Sequence, residues 1–119
     1  MAWTFLSNKP VYTQIAERII MSILSGKYKV GEQIPSVRQL ALEAAVNPNT
    51  VQHAFTELKN EGIIVFKDTV GRYVTEDTEI IEACRKKMAE RLIKNFIADI
   101  EPLHLEKTKI IKMLEEELA

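Results

Sequence analysis

The stretch VNPNTVQHAF, from Val46 to Phe55, decides which fold the sequence predicts. Asn47 suits a helix N-cap, because its side-chain oxygen can accept from the free amides of the first turn, and Pro48 suits the first helical position, where a missing N–H costs nothing. Apolar residues then recur at helical spacing on one face: Val51, Ala54, Phe55 and Leu58. Polar residues fill the opening turns on the other side: Asn49, Thr50, Gln52 and His53.

A second short helix lies only a few residues upstream. The segment SVRQLALEAA begins at Ser36 and predicts a helix whose inward-facing residues are Val37, Leu40, Ala41 and Ala44. Its outward-facing residues are Arg38, Gln39 and Glu43. Gly62 ends the later helix. Two short helices joined by a tight turn predict a helix-turn-helix.

The flanking segments extend this motif to a winged helix. Upstream, an apolar stripe from Val11 to Leu24 predicts a first helix that stops at Gly26, and KYKVGEQIP is a connection that allows a short extended piece. Downstream, IIVFKDTVGRYVT is rich in β-branched and aromatic residues around a turn, which predicts a hairpin. Three helices followed by a hairpin are the winged-helix order.

The C-terminal residues predict a helical tail. A stripe from about Thr78 ends near Ile100, Pro102 marks a break, and a last helix carries apolar residues from Leu103 to Leu118. These stripes exceed what one antiparallel helix pair needs to bury, and such a surface usually marks an interface. We therefore predict a homodimer with contacts at Ile81, Cys84, Met88, Leu92, Phe96, Ile111 and Leu114. The simpler interpretation is that both stripes pack onto the chain's own core.

The predicted fold class is therefore mainly α with a small β-hairpin. A winged helix-turn-helix domain occupies residues 1–76 and a two-helix dimerisation tail occupies residues 77–119. The net charge is -1, and residues 1–76 hold 8 Lys/Arg against 7 Asp/Glu. Any nucleic-acid site must therefore be a local patch.

Composition and motifs exclude several classes of protein. No apolar run approaches the ~18 residues needed to span a bilayer and no signal peptide is evident, so we expect a cytoplasmic protein without membrane contact. The single Cys84 and the two histidines offer no plausible zinc ligand set. Glycine-rich phosphate loops and the GxSxG and HExxH motifs are missing from the sequence. We expect no metal, no cofactor and no catalysis.

The polar face of the third helix is the candidate functional site. In a helix-turn-helix, the first residues of this helix point at base edges in the major groove, where Asn and Gln pair with adenine and Thr contacts a thymine methyl. Asn49, Thr50, Gln52 and His53 have this chemistry. Taken alone, they are better explained as capping and ordinary solvent-exposed residues, because polar first turns are common at helix starts. The winged-helix order of the elements favours contact with double-stranded DNA.

Neighbouring residues extend the candidate site. Arg38 suits a phosphate or a guanine, with pairing to Glu43 as the alternative. Ser36 begins the same helix, and we predict that it also contacts DNA. The hairpin turn would be a wing that places Lys67, Thr69 and Arg72 near the backbone or minor groove, although Asp68 puts a negative charge there.

The run from Lys9 to Ile64 also carries a family resemblance. Four features stand in order: the PxYxQI start, GxxIPSVRxLA, VNPNTVxxAF and ELxxEGII. Together they resemble the N-terminal domain of the GntR family of bacterial transcription regulators, and the short two-helix tail is similar to the YtrA subfamily. The hairpin turn KDTVGRYV departs from the family's usual wing, which has more glycine and basic residues.

This resemblance implies a homodimeric DNA-binding regulator, usually a repressor, often of nearby genes, with transporters frequent among the targets. It implies that Arg38, Asn49, Thr50 and Gln52, with His53 adjacent, contact a palindromic operator. Two other hypotheses stay open at this point. One is a winged-helix module that binds protein, and the other is a sensor of a small-molecule effector whose identity is unknown.

Overall fold

The computed structural model describes residues 2–68 and 71–119 and has the predicted fold, a winged helix followed by C-terminal helices. Five α-helices, one 3-10 segment and a two-stranded antiparallel hairpin follow in chain order. They are α1 (Val11–Leu24), α2 (Val37–Ala44), α3 (Pro48–Asn60), β1 (Ile64–Lys67), β2 (Gly71–Val74), α4 (Thr78–Ile100), the 3-10 segment (Glu101–Leu103) and α5 (Lys107–Leu118).

The residues divide into two compact units, 1–85 and 86–119. The first unit contains α1 to α3, the hairpin and the first turns of α4. Its core is a single apolar cluster whose fully buried members include Ile15, Leu40, Val51 and Phe55. Each of the first three helices contributes the apolar face that the sequence predicts, and the packing of these faces in one core holds α3 in this unit.

Side chains cap the start of α2 and the start of α3, and the turn between the two helices passes through Ala45. The Ser36 Oγ accepts from the backbone N–H of Gln39, and the Gln39 side chain accepts from the backbone N–H of Ser36. Ala45 follows α2 in the left-handed conformation, with φ 59°. Asn47 and Pro48 then begin α3 as predicted. The left-handed Ala45 therefore ends α2, and α3 begins three residues later.

The hairpin begins directly after α3. Gly62 has φ 80°, a conformation that glycine adopts without strain, and the chain then enters β1. Ile64 pairs with Val74, and Lys67 pairs with Gly71 across the turn. The extended piece expected before α2 is also present, because Gln33 forms a bridge with Tyr73 of β2. The hairpin therefore rests on the same connection that leads into α2.

The predicted break near Pro102 lies between α4 and α5, but the start of the last helix was predicted too early. Leu103 belongs to the 3-10 segment, His104 has φ 53°, and α5 begins only at Lys107. The left-handed His104 stops the 3-10 segment, and residues 104–106 are extended or irregular. Leu103 continues the apolar pattern of the sequence without being part of the helix.

Candidate nucleic-acid interface

The first turn of α3 separates residues that start the helix from residues that are available for binding. The Asn47 Oδ1 accepts from the Asn49 backbone N–H at 2.8 Å, and Pro48 occupies the first turn. Asn47 therefore satisfies an amide that would otherwise lack a partner. Its side chain has a structural role, and the side chain of Asn49 does not share it.

The polar residues predicted at the start of α3 lie opposite its buried face. Asn49 and His53 are exposed, and Thr50 and Gln52 are half-buried. With 3.6 residues per turn, Asn49, Gln52 and His53 share one side of the helix, and Thr50 lies at its edge. Among the residues that the structure describes, the side chains of Asn49, Thr50 and Gln52 make no hydrogen bond. We call these four residues the polar face of α3.

Thr56 extends this face by one more turn and was missed in the sequence. It is exposed, and its hydroxyl donates to the carbonyl of Gln52 at 3.0 Å. Its position four residues after Gln52 was the available signal. Thr56 also carries a methyl group, which is suited to apolar contact with a thymine methyl.

His53 differs from its neighbours because its ring already has partners. It stacks on Tyr12 of α1 with ring centroids 3.6 Å apart and an interplanar angle of 12°. Its Nε2 lies 4.0 Å from the Oε1 of Glu57, one turn further along α3. Tyr12 falls within the apolar stripe that predicted α1, and helical periodicity carries no information about a partner on another helix.

The two predicted residues of α2 differ in their engagement. Arg38 is exposed and forms no salt bridge or side-chain hydrogen bond within the described part of the chain, so the alternative pairing with Glu43 is not formed. Ser36 is exposed as well, but its oxygen caps α2. A guanidinium that is free of internal partners can bind a phosphate or a base edge without first breaking a bond.

The hairpin holds its basic side chains against aromatic rings. The guanidinium carbon of Arg72 lies 3.7 Å from the ring centroid of Phe66, and the Nζ of Lys67 lies 5.0 Å from that of Tyr73. Lys67 is exposed, whereas Arg72 is half-buried. Asp68 is exposed with φ 58°. The third residue predicted for the wing, Thr69, lies outside the described residues.

An open cleft of ≈ 470 Å³ brings Arg72 together with the start of α2. Its lining includes Tyr28, Ser36, Gln39 and Arg72. Burial raises the pKa of Tyr28, and the nearby carboxylates of Glu43 and Glu32 raise it further, so the phenol is neutral at physiological pH. Two of the predicted DNA contacts, Ser36 and Arg72, therefore share one polar cleft although they are distant in sequence.

The residues predicted for the dimer interface fall into two groups. Ile81 is buried in the core of the first unit, whereas Cys84 is half-buried and packs against that core. In the second unit, Met88 is buried, but large apolar side chains remain exposed on both helices. They include Leu92, Ile93, Phe96, Ile97, Ile111, Met113, Leu114 and Leu118.

The described residues contain no group of three His, Cys, Asp or Glu side chains arranged to hold a metal ion. Within residues 2–68 and 71–119, the helices are also too short or too polar to cross a membrane. The chemistry available at the polar face of α3 and at Arg38 is that of amide, hydroxyl, imidazole and guanidinium groups.

Comparison with known proteins links this geometry to a family. Residues 11–74 match the family described as bacterial regulatory proteins, gntR family. The match begins with α1 and ends with β2, so it contains the three helices and the hairpin that carry the polar face of α3 and the wing.

Similar proteins extend the likeness to the tail. The HTH-type transcriptional repressor YtrA of Bacillus subtilis is 35% identical over 112 residues, which cover 92% of this chain and 85% of that protein. The HTH-type transcriptional regulator YhcF of the same organism is 31% identical over 108 residues, 91% of this chain and 89% of that protein. A solved GntR family transcriptional regulator from Listeria monocytogenes is 38% identical with a TM-score of 0.84, and the match covers 94% of this chain and 98% of that one.

Proposed function

This chain belongs to the GntR family of bacterial regulatory proteins, whose members are transcriptional regulators with a DNA-binding helix-turn-helix, and from that premise we propose that it is a homodimeric repressor of a palindromic operator. In this proposal, the α3 helices of two subunits enter successive major grooves on one side of the DNA. Like its relatives, the chain is a transcriptional regulator and not an enzyme.

The polar face of α3 is the observation that carries the proposal. Asn49, Thr50 and Gln52 present hydrogen-bonding groups with no partner among the described residues, and Arg38 of α2 is equally unengaged. Amide and guanidinium groups make paired hydrogen bonds to adenine and guanine respectively. An interface built in this way depends on bond geometry more than on charge, which agrees with a net charge of -1.

The second unit supports the homodimer. Leu92 and Phe96 of α4 are 50% and 37% exposed, and Leu114 of α5 is 40% exposed. Apolar side chains repeated along two helices form the kind of patch that a second copy covers by two-fold symmetry. Because Ile81 is buried and Cys84 packs against the core of its own chain, the proposed contacts are centred on the more exposed Leu92, Phe96, Ile111 and Leu114.

Dimerisation gives the proposed palindrome a physical basis. A two-fold dimer presents two identical α3 helices, and each recognises the same short sequence on opposite strands, with half-sites one helical turn or a multiple of it apart. YtrA of Bacillus subtilis, which is similar to this chain over most of its length, is named a repressor. This name supports repression as the proposed activity. Control of a transporter operon is a narrower proposal that rests on the family resemblance in the sequence.

Two substitutions test the reading of DNA. Arg38→Ala and Gln52→Ala are each expected to weaken binding to the operator by roughly tenfold to a hundredfold, because a bidentate base contact is worth about 1–3 kcal/mol. Fluorescence anisotropy with an operator selected from a random DNA library measures the affinity. Asn60→Ala and Lys87→Ala are matched controls, since they remove an exposed amide from the far end of α3 and an exposed cation from α4.

The same library decides between this function and a protein-binding module. Enrichment of one inverted repeat supports the proposal, and sedimentation of the complex should give two chains per operator. No enriched sequence, or unchanged affinity in both Arg38→Ala and Gln52→Ala, would overturn it.

A further inference from the structure

Tyr12 lies outside the helix-turn-helix but contacts the polar face of α3. We propose that Tyr12 is a positioning residue that holds the imidazole of His53 in one orientation, so that His53 becomes a specificity-determining contact with one base of each half-site. This inference rests on the proposed function, and it adds α1 to the elements that determine sequence preference.

The geometry of the ring pair is the first support. The centroids of Tyr12 and His53 are 3.6 Å apart and the planes differ by 12°, so one face of the imidazole is covered by the phenol ring. The Nε2 of His53 also lies 4.0 Å from the carboxylate of Glu57. Two partners, one on α1 and one on α3, limit the rotation of the side chain about its torsions.

Exposure is the second support. The side chain of His53 remains 53% exposed although it is stacked, so its other face and part of its edge are open to solvent. A side chain that only completed the packing of α1 on α3 would be largely covered. The imidazole is therefore both held and accessible, which is the condition for contact with a ligand.

The position of His53 on α3 supplies the third support. It follows Asn49 by four residues and Gln52 by one, so it lies on the polar face beside residues proposed to contact bases. Tyr12 is anchored by α1, in which Ile15 and Ile19 are buried in the core at 0% and 1% exposure. The phenol ring therefore belongs to a helix that packs against the core of the first unit.

Preorganisation explains what the pair achieves. An exposed side chain must lose rotamer freedom when it binds, and this loss weakens binding. Stacking on Tyr12 removes that freedom before the DNA arrives. Without Tyr12, His53 would adopt several orientations, and both its affinity contribution and its preference for one base would decrease.

The test uses the full chain with two substitutions at Tyr12. Tyr12→Leu removes the ring but keeps apolar volume, and Tyr12→Phe keeps the ring as the matched control. We expect Tyr12→Leu to bind the selected operator at least about threefold more weakly, and Tyr12→Phe to bind it within about twofold of the wild type. When base preference is measured at each position of a randomised half-site, Tyr12→Leu and His53→Ala should weaken the preference at the same position. A purely structural role for Tyr12 would leave the preference at that position unchanged.

Non-additivity gives a second criterion. If Tyr12 acts through His53, Tyr12→Leu with His53→Ala together should bind no more weakly than His53→Ala alone. Independent, additive losses would overturn the proposal, as would a Tyr12→Leu protein with unchanged affinity and profile. Weakened binding by Arg38→Ala and Gln52→Ala in the same experiment would show that the proposed function stands while this inference fails.

Nuclear magnetic resonance tests the stack first in the wild-type protein, whose fold is not altered by a substitution. The chain has two histidines, and the exposed His104 serves as the internal reference. Ring protons of His53 should lie upfield of those of His104, and Tyr12→Leu should abolish this difference while Tyr12→Phe retains it. Wild-type His53 protons without an upfield displacement would overturn the proposal.

Discussion

Phe55 in the first unit is 0% exposed, whereas Phe96 in the second unit is 37% exposed, although both lie on the apolar face of a helix. The same contrast holds for the leucines, since Leu58 is 1% exposed and Leu92 is 50% exposed. The first unit has enough surrounding elements to cover its stripes. The second unit consists of part of α4, the 3-10 segment and α5, and these leave much of their apolar surface in water.

This difference shows that amphipathic periodicity identifies an apolar face without identifying what covers it. In the first unit the cover is the chain itself. In the second unit, we propose that the cover is a second copy. The stability of the second unit should therefore depend on protein concentration, whereas that of the first unit should not. Substitutions that compare the two units are expected to have the largest effects.

Phe55→Ala should destabilise the first unit by about 3–5 kcal/mol, because it leaves a cavity at the centre of the core. Denaturant unfolding at several protein concentrations measures the change in the free energy of unfolding. The loss should be the same at every concentration. Phe96→Ala is the matched comparison, and its loss should shrink at concentrations below the dimer dissociation constant. Equal, concentration-independent losses would remove the distinction between the two units.

Phe96→Asp should weaken the dimer at least about thirtyfold, or about 2 kcal/mol, because it buries a carboxylate without a partner. Sedimentation velocity over a range of concentrations measures the dissociation constant. Asn95→Asp is the control, since it adds a carboxylate at the neighbouring exposed position. A dimer equally affected by both substitutions would place the interface elsewhere than on this face of α4.

A finer contrast lies within α3, between Asn47 and Asn49. Asn47→Ala should cost about 1 kcal/mol of stability by removing the N-cap, with a fall in Tm of several degrees. Asn49→Ala should leave Tm nearly unchanged and weaken operator binding instead, because its side chain has no partner among the described residues. Thermal unfolding and anisotropy on the same two proteins separate these roles. The opposite assignment of effects would contradict the structure at this turn.

Local signals were sufficient for much of the fold. The stripe that ends before Gly26 predicted the bounds of α1, and Asn47 with Pro48 predicted the start of α3, because caps and turns depend on a few adjacent residues. Leu103 was misassigned because the prediction relied on the same kind of local signal. Its apolar character extends the pattern of α5, but the left-handed backbone of His104 interrupts the helix.

The candidate site was predictable only in part. The exposure of Asn49 and Arg38 follows from helical periodicity. The stack of Tyr12 on His53 and the packing of Ile81 against the core do not, because they depend on which helices meet. A single sequence records the faces of the helices, and the contacts between elements distant in the chain require the folded structure.

Ala45 closes the turn between α2 and α3 with a φ of 59°. An L-residue with a side chain is strained there by roughly 1–2 kcal/mol, whereas glycine is not. The strain at Ala45 thus lowers the stability of the helix-turn-helix. Its position belongs neither to the polar face of α3 nor to the exposed stripes of the second unit. A substitution at position 45 can therefore change stability without replacing a residue proposed to contact DNA.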